Sequence, residues 1–171
     1  MLIKKLFPPK ESVFTVDTDG NRRADSLQIK FLNLIIPFVI PKEIEIGDFK
    51  LKEFDLENFD ISQHGKFFLD DTPLDFTKES FNLDNISNRL LIYYKGVSYS
   101  VNDILHGKLS GKTIDLGDTI SILVKIDEGT LKKFTEGNHI FRVESDFITN
   151  LEIFFELDGT NMNIKFNPEN A

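Results

Sequence analysis

Hydrophobic and polar residues alternate with a period of two along much of the chain, and no long stretch has the 3.6-residue period of an amphipathic helix. Val13 to Val16 predicts a first strand. A second strand is predicted where Leu27, Ile29 and Phe31 alternate with polar residues. After Phe31 the apolar residues move to the other parity, starting at Leu32, which predicts a bulge or a change of sheet at that point.

The second half of the chain continues this pattern. Leu90 to Tyr94 and Val97 to Val101 predict a hairpin, because the intervening Lys95-Gly96 supplies the positive φ that a tight turn requires. Asn102 is predicted to cap a short helical turn that stops at Gly107. The hairpin and the helical turn therefore form one continuous predicted unit.

Further strands are predicted toward the end of the sequence. Two of them cover Ile120 to Ile126 and His139 to Val143. Leu151 to Leu157 and Met162 to Phe166 are predicted to pair as a hairpin across a turn that contains Asp158-Gly159.

A local repeat lies in the middle of the sequence, where DFKLK, EFDLE and NFDIS follow one another from Asp48 to Ser62. Phe49, Phe54 and Phe59 recur in it every five residues. Short strands joined by tight turns are the expected structure. A right-handed pentapeptide solenoid is the alternative, although repeat folds need more than three such units to bury a core.

The number of short strands and of Gly and Asp turns predicts an all-β fold, an antiparallel β-sandwich or Greek-key arrangement of immunoglobulin-like or jelly-roll type, with one or two short helical turns. The chain has 171 residues, 40% of them hydrophobic, and it contains 17 Phe but no Trp. One domain over residues 1–171 is expected. Residues 1–11 are predicted to form an extended or flexible arm, and residues 167–171 a tail.

Charge and composition narrow the function classes. Lys and Arg number 20 against 28 Asp and Glu, which gives a net charge of −8 and removes the electrostatic attraction that nucleic acids and anionic membranes require. The chain has no Cys, which excludes disulfides and thiolate sites. The most hydrophobic stretch, Phe31 to Ile40, is too short to span a membrane, so no membrane insertion is expected.

The segment between the first two predicted strands carries oxygen side chains at positions 1, 3, 5 and 9 of a loop, namely Asp17, Asp19, Asn21 and Asp25. A hard cation such as Ca²⁺ binds six to eight oxygens, and this spacing can place side chains around one point. The alternative is an ordinary Asp-Gly-Asn turn whose acids are solvated.

This segment resembles the aspartate-rich calcium loops of thrombospondin type 3, dockerin and related bacterial surface repeats, which have the form DxDGDGxxD. The resemblance covers about 15 residues, from Asp17 to Phe31. It implies that Ca²⁺ is bound by the side chains of Asp17, Asp19, Asn21 and Asp25 and by the backbone oxygen of Arg23. The sequence departs from the pattern twice, with Arg22 in place of the usual Gly and Gln28 in place of a bidentate Glu.

No catalytic motif stands out, so the protein is predicted not to be an enzyme. His64, His106 and His139 form no metal-binding pair and are expected at the surface. Three tyrosines on the predicted hairpin, Tyr93, Tyr94 and Tyr99, make a carbohydrate-binding module one alternative function.

The expected function is a calcium-stiffened structural, adhesive or assembly module of the cell surface. Residues 1–9 contain no apolar core of a signal peptide, so a surface location implies that a leader has been removed. An intracellular or virion structural protein is the alternative, in which case the chain is cytoplasmic. The expected partners are other copies of the chain or surface proteins that pair with the apolar edge from Leu34 to Ile40, unless that stretch is buried against the pentad segment.

Overall fold

In the computed structural model of the protein, the structure describes residues 7–33, 37–41, 45–46, 49–50, 65–74, 89–146 and 150–171. Most elements within these ranges are strands. The strands are β1 (Val13–Asp17), β2 (Ser26–Leu32), β3 (Phe38–Val39), β4 (Glu45–Ile46), β5 (Phe49–Lys50), β6 (Gly65–Leu69), β7 (Thr72–Leu74), β8 (Leu90–Tyr94), β9 (Val97–Ser100), β10 (Thr113–Ile114), β11 (Thr119–Lys125), β12 (Gly137–Ser145), β13 (Leu151–Leu157) and β14 (Ile164–Lys165). The helices are α1 (Val101–Leu105), α2 (Glu128–Leu131) and a 3-10 turn (Pro168–Asn170).

Two larger sheets organise these strands. One has six strands in the order β14-β1-β2-β11-β8-β9, and the other has four in the order β13-β12-β6-β7. Two-stranded ladders join β3 to β10 and β4 to β5. The β1–β14 pair is parallel, whereas the other described pairs of the two larger sheets are antiparallel. The predicted all-β sandwich is confirmed.

The main core lies between the two sheets because each contributes the apolar side chains of one face. Val13 and Leu27 come from the six-stranded sheet, and Leu69, Phe155 and Leu157 from the four-stranded sheet, all nearly or fully buried. Phe134 follows α2 and stacks on Phe155 with 6.3 Å between ring centroids. Each Å² of apolar surface that is buried stabilises the folded state by about 25 cal/mol, so this core is the principal stabilising region among the described residues.

A second apolar cluster lies at the β8–β9 end of the six-stranded sheet. Tyr94, Tyr99, Leu109 and Ile114 form it, and Ile114 is fully buried. The Tyr94 hydroxyl contacts the backbone oxygen of Thr113 and the Asp118 carboxylate, both at 2.8 Å. The aromatic body and the polar end of Tyr94 are therefore both accommodated in this cluster.

The outer face of the six-stranded sheet is also covered. Gln28 and Ser121 are buried there, and Gln28 Nε2 donates to Ser121 Oγ at 3.2 Å. Tyr93 packs edge-on against Phe166, with centroids 5.1 Å apart. The predicted tail reaches this sheet, because Lys30 Nζ donates to the backbone oxygen of Asn170 at 2.6 Å and Ala171 is only 7% exposed.

Several local predictions match the structure. The β8–β9 hairpin turns at Lys95 and Gly96, which have φ values of 49° and 77°. Helix α1 begins two residues earlier than expected, because Ser100 rather than Asn102 is its N-cap. Ser100 and Asp103 form a capping box in which each side chain accepts from the other residue's backbone N–H.

The predicted C-terminal hairpin is wrong. β13 pairs with β12, and β14 crosses to the other sheet, where Ile164 lies opposite Val16 of β1. The turn after β13 is built around Asn161, which is fully buried and donates from Nδ2 to the backbone oxygen of Glu156 at 2.7 Å. This anchored turn redirects the chain instead of folding it back on β13.

The parity change after Phe31 corresponds to the end of β2 at Leu32, which pairs in regular register with Thr119. Asn33 follows in a buried position and donates from Nδ2 to the backbone oxygens of Ile114 and Asp115. The chain thus leaves the sheet at this point. Residues 34–36 and most of the pentad segment lie outside the described residues.

Candidate functional site

The candidate site is the loop between β1 and β2, called here the aspartate loop (residues 17–25). β1 and β2 are antiparallel neighbours, with Val16 opposite Ser26. The N–H of Asp25 also donates to the backbone oxygen of Val16 at 2.9 Å. Hairpin pairing therefore places Asp17 and Asp25, the first and last acids of the motif, at the same end of the sheet.

Asp17 organises the loop through its backbone. Its Oδ1 accepts hydrogen bonds from the N–H groups of Gly20 and Asp19, at 2.8 and 3.2 Å. Its Oδ2 accepts from the N–H of Arg22 at 2.7 Å. Burial raises the pKa of Asp17, but the amide donors of Arg22, Gly20 and Asp19 outweigh it and hold the pKa below its ordinary value of 3.8. The carboxylate is thus the form that the loop stabilises.

Asp19 and Asn21 form a smaller turn within the loop. Asp19 Oδ1 accepts from the backbone N–H of Asn21, and Asp19 Oδ2 accepts from Asn21 Nδ2, both at 3.0 Å. Asn21 Oδ1 accepts from the backbone N–H of Arg23 at 2.8 Å. Asn21 therefore lies beside Asp19, and its amide oxygen faces the backbone of Arg23.

Asp25 closes the loop through hydroxyl groups. The Thr18 hydroxyl is 2.8 Å from both Asp25 carboxylate oxygens, and the Thr18 N–H donates to Oδ2 at 3.2 Å. The Ser26 hydroxyl donates to Asp25 Oδ1 at 2.6 Å. These bonds tie the end of the loop to its beginning.

The loop brings three of the predicted ligands together. One carboxylate oxygen from each of Asp17, Asp19 and Asp25 lies within 4.8 Å of the other two. Asp17 is buried, Asp25 is half-buried and Asp19 is exposed. A carboxylate oxygen has two lone pairs, so an oxygen that already accepts one hydrogen bond can also bind a cation. Three close negative charges with free lone pairs are suited to a hard divalent cation.

The backbone of the loop explains one departure from the calcium-loop pattern. Gly20 has a φ of 80°, and Arg22, which replaces the usual Gly, has a φ of 67°. The carbonyl of Arg22 accepts a hydrogen bond from Asn163 Nδ2 at 3.1 Å. The left-handed conformation is therefore present at Arg22 despite its side chain.

The second departure has a different outcome. Gln28, which stands where an EF-hand loop has its bidentate Glu, is buried in β2 and donates to Ser121. Its side chain is thus committed to the outer face of the sheet. Gln28 is therefore not a ligand candidate at the aspartate loop.

A surface groove of about 480 Å³ adjoins the loop. One wall is formed by the loop, including Arg22 and Arg23, and the other by α2, including Glu128 and Lys132. Glu128 and Lys132 form an ion pair at 3.2 Å. Any change in the order of the loop alters this groove.

The three tyrosine rings of the β8–β9 hairpin are buried or half-buried and do not form an exposed surface for a sugar. Tyr94 is 4% exposed and Tyr99 is 7% exposed, because both belong to the second apolar cluster. Tyr93 is half-buried against Phe166. These rings therefore do not form the exposed stacking platform on which the carbohydrate-binding alternative was based.

His139 corrects the expectation of surface histidines, although His106 is exposed as predicted. His139 is 7% exposed and stacks on Phe155 with centroids 5.4 Å apart. Its Nδ1 lies 2.5 Å from Asp70 Oδ2, and its Nε2 lies 2.6 Å from the backbone oxygen of Thr135. The two ring nitrogens thus contact a carboxylate and a backbone carbonyl.

Sequence analysis missed this pair because Asp70 and His139 are 69 residues apart. Asp70 and Asp71 lie in the turn between β6 and β7, and both residues have positive φ. Asp70 Oδ1 also accepts from the backbone N–H of Ile140 at 2.9 Å. The pair links two neighbouring strands of the four-stranded sheet, and its geometry is that of a structural contact.

Comparisons with known proteins find no family model that matches the chain and no curated protein that matches it. Within the described residues, no helix is long and apolar enough to cross a membrane. Function therefore has to be inferred from the chemistry of the aspartate loop and from the sandwich that carries it.

Proposed function

We propose that the protein is a non-enzymatic structural, adhesive or assembly module of the cell surface whose aspartate loop is stiffened by Ca²⁺. The convergence of the Asp17, Asp19 and Asp25 carboxylates within 4.8 Å is the observation that carries this proposal. These oxygens are hard ligands, and they lie where the first two strands of the sandwich meet.

In this proposal Asp17, Asp19 and Asp25 hold the ion through their carboxylates. Asn21 and the backbone oxygen of Arg23 complete the set that the resemblance to calcium loops implies. Bound Ca²⁺ supplies positive charge that neutralises the three carboxylates and joins the two ends of the loop. The gain is mechanical, because a fixed loop holds the start of β2 against the end of β1 and fixes one wall of the adjoining groove.

Partner binding is assigned to surfaces of the sandwich. The apolar edge from Leu34 to Ile40 is proposed to pair with another copy or with a surface protein. In its described part, β3 pairs with β10, and Val39 is 59% exposed. An exposed apolar residue beside a two-stranded ladder supports this assignment.

Thermal unfolding of the full chain in EDTA and in millimolar Ca²⁺ tests the metal site. Ca²⁺ at about ten times its Kd stabilises the folded state by about 1.4 kcal/mol, which raises the Tm by about 3 °C in a chain of this size. The Asp19→Ala variant is expected to lose the increase, because Asp19 is exposed and its loss removes a ligand without opening the core.

Asp115→Ala is the matched control, since Asp115 is an exposed aspartate in a distant turn. This variant is expected to keep the full calcium response. Mg²⁺ at the same concentration tests ion choice, and a smaller increase is expected because Mg²⁺ dehydrates reluctantly. An unchanged wild-type Tm in Ca²⁺, or an equal increase in the Asp19→Ala variant, would reduce the loop to an ordinary turn.

Sedimentation at several protein concentrations tests assembly. A concentration-dependent oligomer that Val39→Asp abolishes is expected if the β3 edge pairs with another copy. A strictly monomeric protein in both EDTA and Ca²⁺ contradicts self-assembly and leaves surface proteins as the partner class to examine.

A further inference from the structure

The core between the two sheets is not completely filled. A cavity of about 160 Å³ lies there, and the side chains that line it within the described part of the chain are all Val, Leu, Ile or Phe. Val13, Leu27 and Val124 line it from the six-stranded sheet. Phe67, Phe141 and Phe155 line it from the four-stranded sheet. The cavity therefore lies between the two sheets of the sandwich.

Such a space is unusual in a folded protein. Protein interiors are packed about as densely as organic crystals, and an empty volume forfeits dispersion contacts on every side. Water gains little by entering, because a buried water needs two to four polar partners and this lining offers only hydrocarbon side chains. A ligand without polar groups restores the missing contacts without losing hydrogen bonds.

We propose that the cavity between the sheets is a binding site for a small uncharged hydrocarbon of about the size of a benzene ring. Apolar cavities of about 150 Å³ lined by Leu, Ile and Phe stay dry and take up benzene or xenon. The volume and the lining of this cavity meet the same conditions. The rings of Phe67 and Phe141, stacked 6.1 Å apart, give one wall an aromatic surface.

The lining also determines what the site rejects. Phenol differs from benzene by one hydroxyl, and a buried hydroxyl without a hydrogen-bond partner is strongly disfavoured. The two probes have nearly the same shape, so a difference between them reports the polarity of the cavity. The inference is independent of the aspartate loop, because the lining includes the start of β1 and not Asp17.

The test uses the full chain in EDTA, with methyl groups of Leu, Val and Ile labelled for NMR. Benzene is expected to cause saturable shifts of the Leu27, Val124 and Ile153 methyls, which line the cavity. The methyls of Leu109 and Ile114, in the second apolar cluster, are expected to stay unchanged. Phenol at the same concentration is expected to cause no saturable shift.

Two variants fill the cavity to different extents. Val124→Phe is expected to weaken benzene binding at least tenfold, and Val124→Leu to weaken it by a smaller factor. Leu123→Met is the matched control, because Leu123 is the preceding residue of β11 and its side chain points to the opposite face of the sheet. This control is expected to bind benzene like the wild type.

Equal responses to benzene and phenol, or shifts that rise linearly without saturation, would overturn the proposal. So would unchanged benzene binding in a folded Val124→Phe or Val124→Leu variant. If overpacking prevents both variants from folding, the benzene and phenol titrations of the wild type still decide whether the cavity binds a hydrocarbon. A calcium response of the Tm has no bearing on either result.

Discussion

The aspartate loop and the β6–β7 turn use acidic side chains in opposite ways. In the loop, Asp17 accepts three backbone N–H groups that all lie within five residues of it. In the β6–β7 turn, Asp70 contacts His139 and Ile140, which are 69 and 70 residues away. Asp71 contacts Arg142 at 2.7 Å, again across the sheet. One set of acids shapes its own loop, and the other joins two strands.

The sequence separation of the bonded residues determines how strongly each contact constrains the fold. Bonds within the aspartate loop form whenever residues 17–25 adopt their turn, so their loss frays one end of a hairpin. Bonds from Asp70 form only when β6 and β12 are neighbours. We therefore expect changes at His139 to reduce global stability and changes in the loop to act mainly on local order and ion binding.

The largest effect is expected for His139→Ala. The substitution removes a stacked ring from Phe155 and leaves the backbone oxygen of Thr135 without its His139 partner. A loss of about 3 kcal/mol in the free energy of unfolding is expected from the cavity and the lost bonds. Urea denaturation measures it.

His106→Ala is the control for this variant, because His106 is exposed. Its effect is expected to stay within about 0.5 kcal/mol. A loss in His139→Ala no larger than that in His106→Ala would show that the cross-strand contacts of His139 do not stabilise the fold.

A smaller effect, dependent on pH, is expected for Asp17→Asn. The pKa of Asp17 is lower in the folded protein than its ordinary value of 3.8. Such a group contributes stability above pH 3.8, and this contribution is lost as the pH falls through the folded pKa. The variant is expected to have a lower Tm than the wild type at pH 7, and the difference is expected to shrink as the pH falls below 3.8.

The difference in Tm between the wild type and the Asp17→Asn variant isolates the contribution of the Asp17 charge. Asp103, Asp118, Asp127 and Asp158 also have lowered pKa values, so the wild-type Tm falls in acid for several reasons at once. A Tm difference that stays constant from pH 7 to roughly 3 would show that the charge of Asp17 does not stabilise the loop.

The smallest effects are expected from the backbone of the loop. Gly20→Ala places a side chain at a φ of 80°, where an added Cβ meets no atom within 4 Å, so only conformational strain remains. A loss of about 1 kcal/mol is expected. Arg22→Gly is expected to gain about 0.5 kcal/mol, because relief of strain at Arg22 exceeds the entropy cost of Gly. Thermal unfolding in EDTA measures both, and effects of the same sign would contradict this account.

Local structure was predictable where the determining residues are close in sequence. The β8–β9 hairpin followed from Lys95-Gly96, and the gathering of acids in the aspartate loop followed from the spacing of Asp17, Asp19 and Asp25. The alternation of apolar and polar residues located the strands β13 and β14, but it did not identify the strands with which they pair. A period of two identifies a strand and its faces, while the choice of neighbour depends on the whole sheet.

Buried polar residues were hidden for the same reason. Gln28 and Ser121 alternate with apolar residues and so resemble solvent-facing positions. The structure covers that face with Tyr93 and Phe166, and the two polar side chains bond to each other. Asp70 and His139 could be predicted only with knowledge that β6 and β12 are adjacent. The residues that tie distant segments together carried no local signal.

The parallel pairing of β14 with β1 also has a consequence for biosynthesis. Asn163, just before β14, bonds to Thr15 of β1 across 148 residues of sequence. On the ribosome, β1 can pair with β2 early, but its other edge stays open until β14, about 148 residues further along the chain, has emerged. Open edges recruit other chains, so a polypeptide stalled before residue 164 exposes a strand that the finished protein covers. Protection of this edge of β1 thus depends on a segment that is synthesised long after the strand itself.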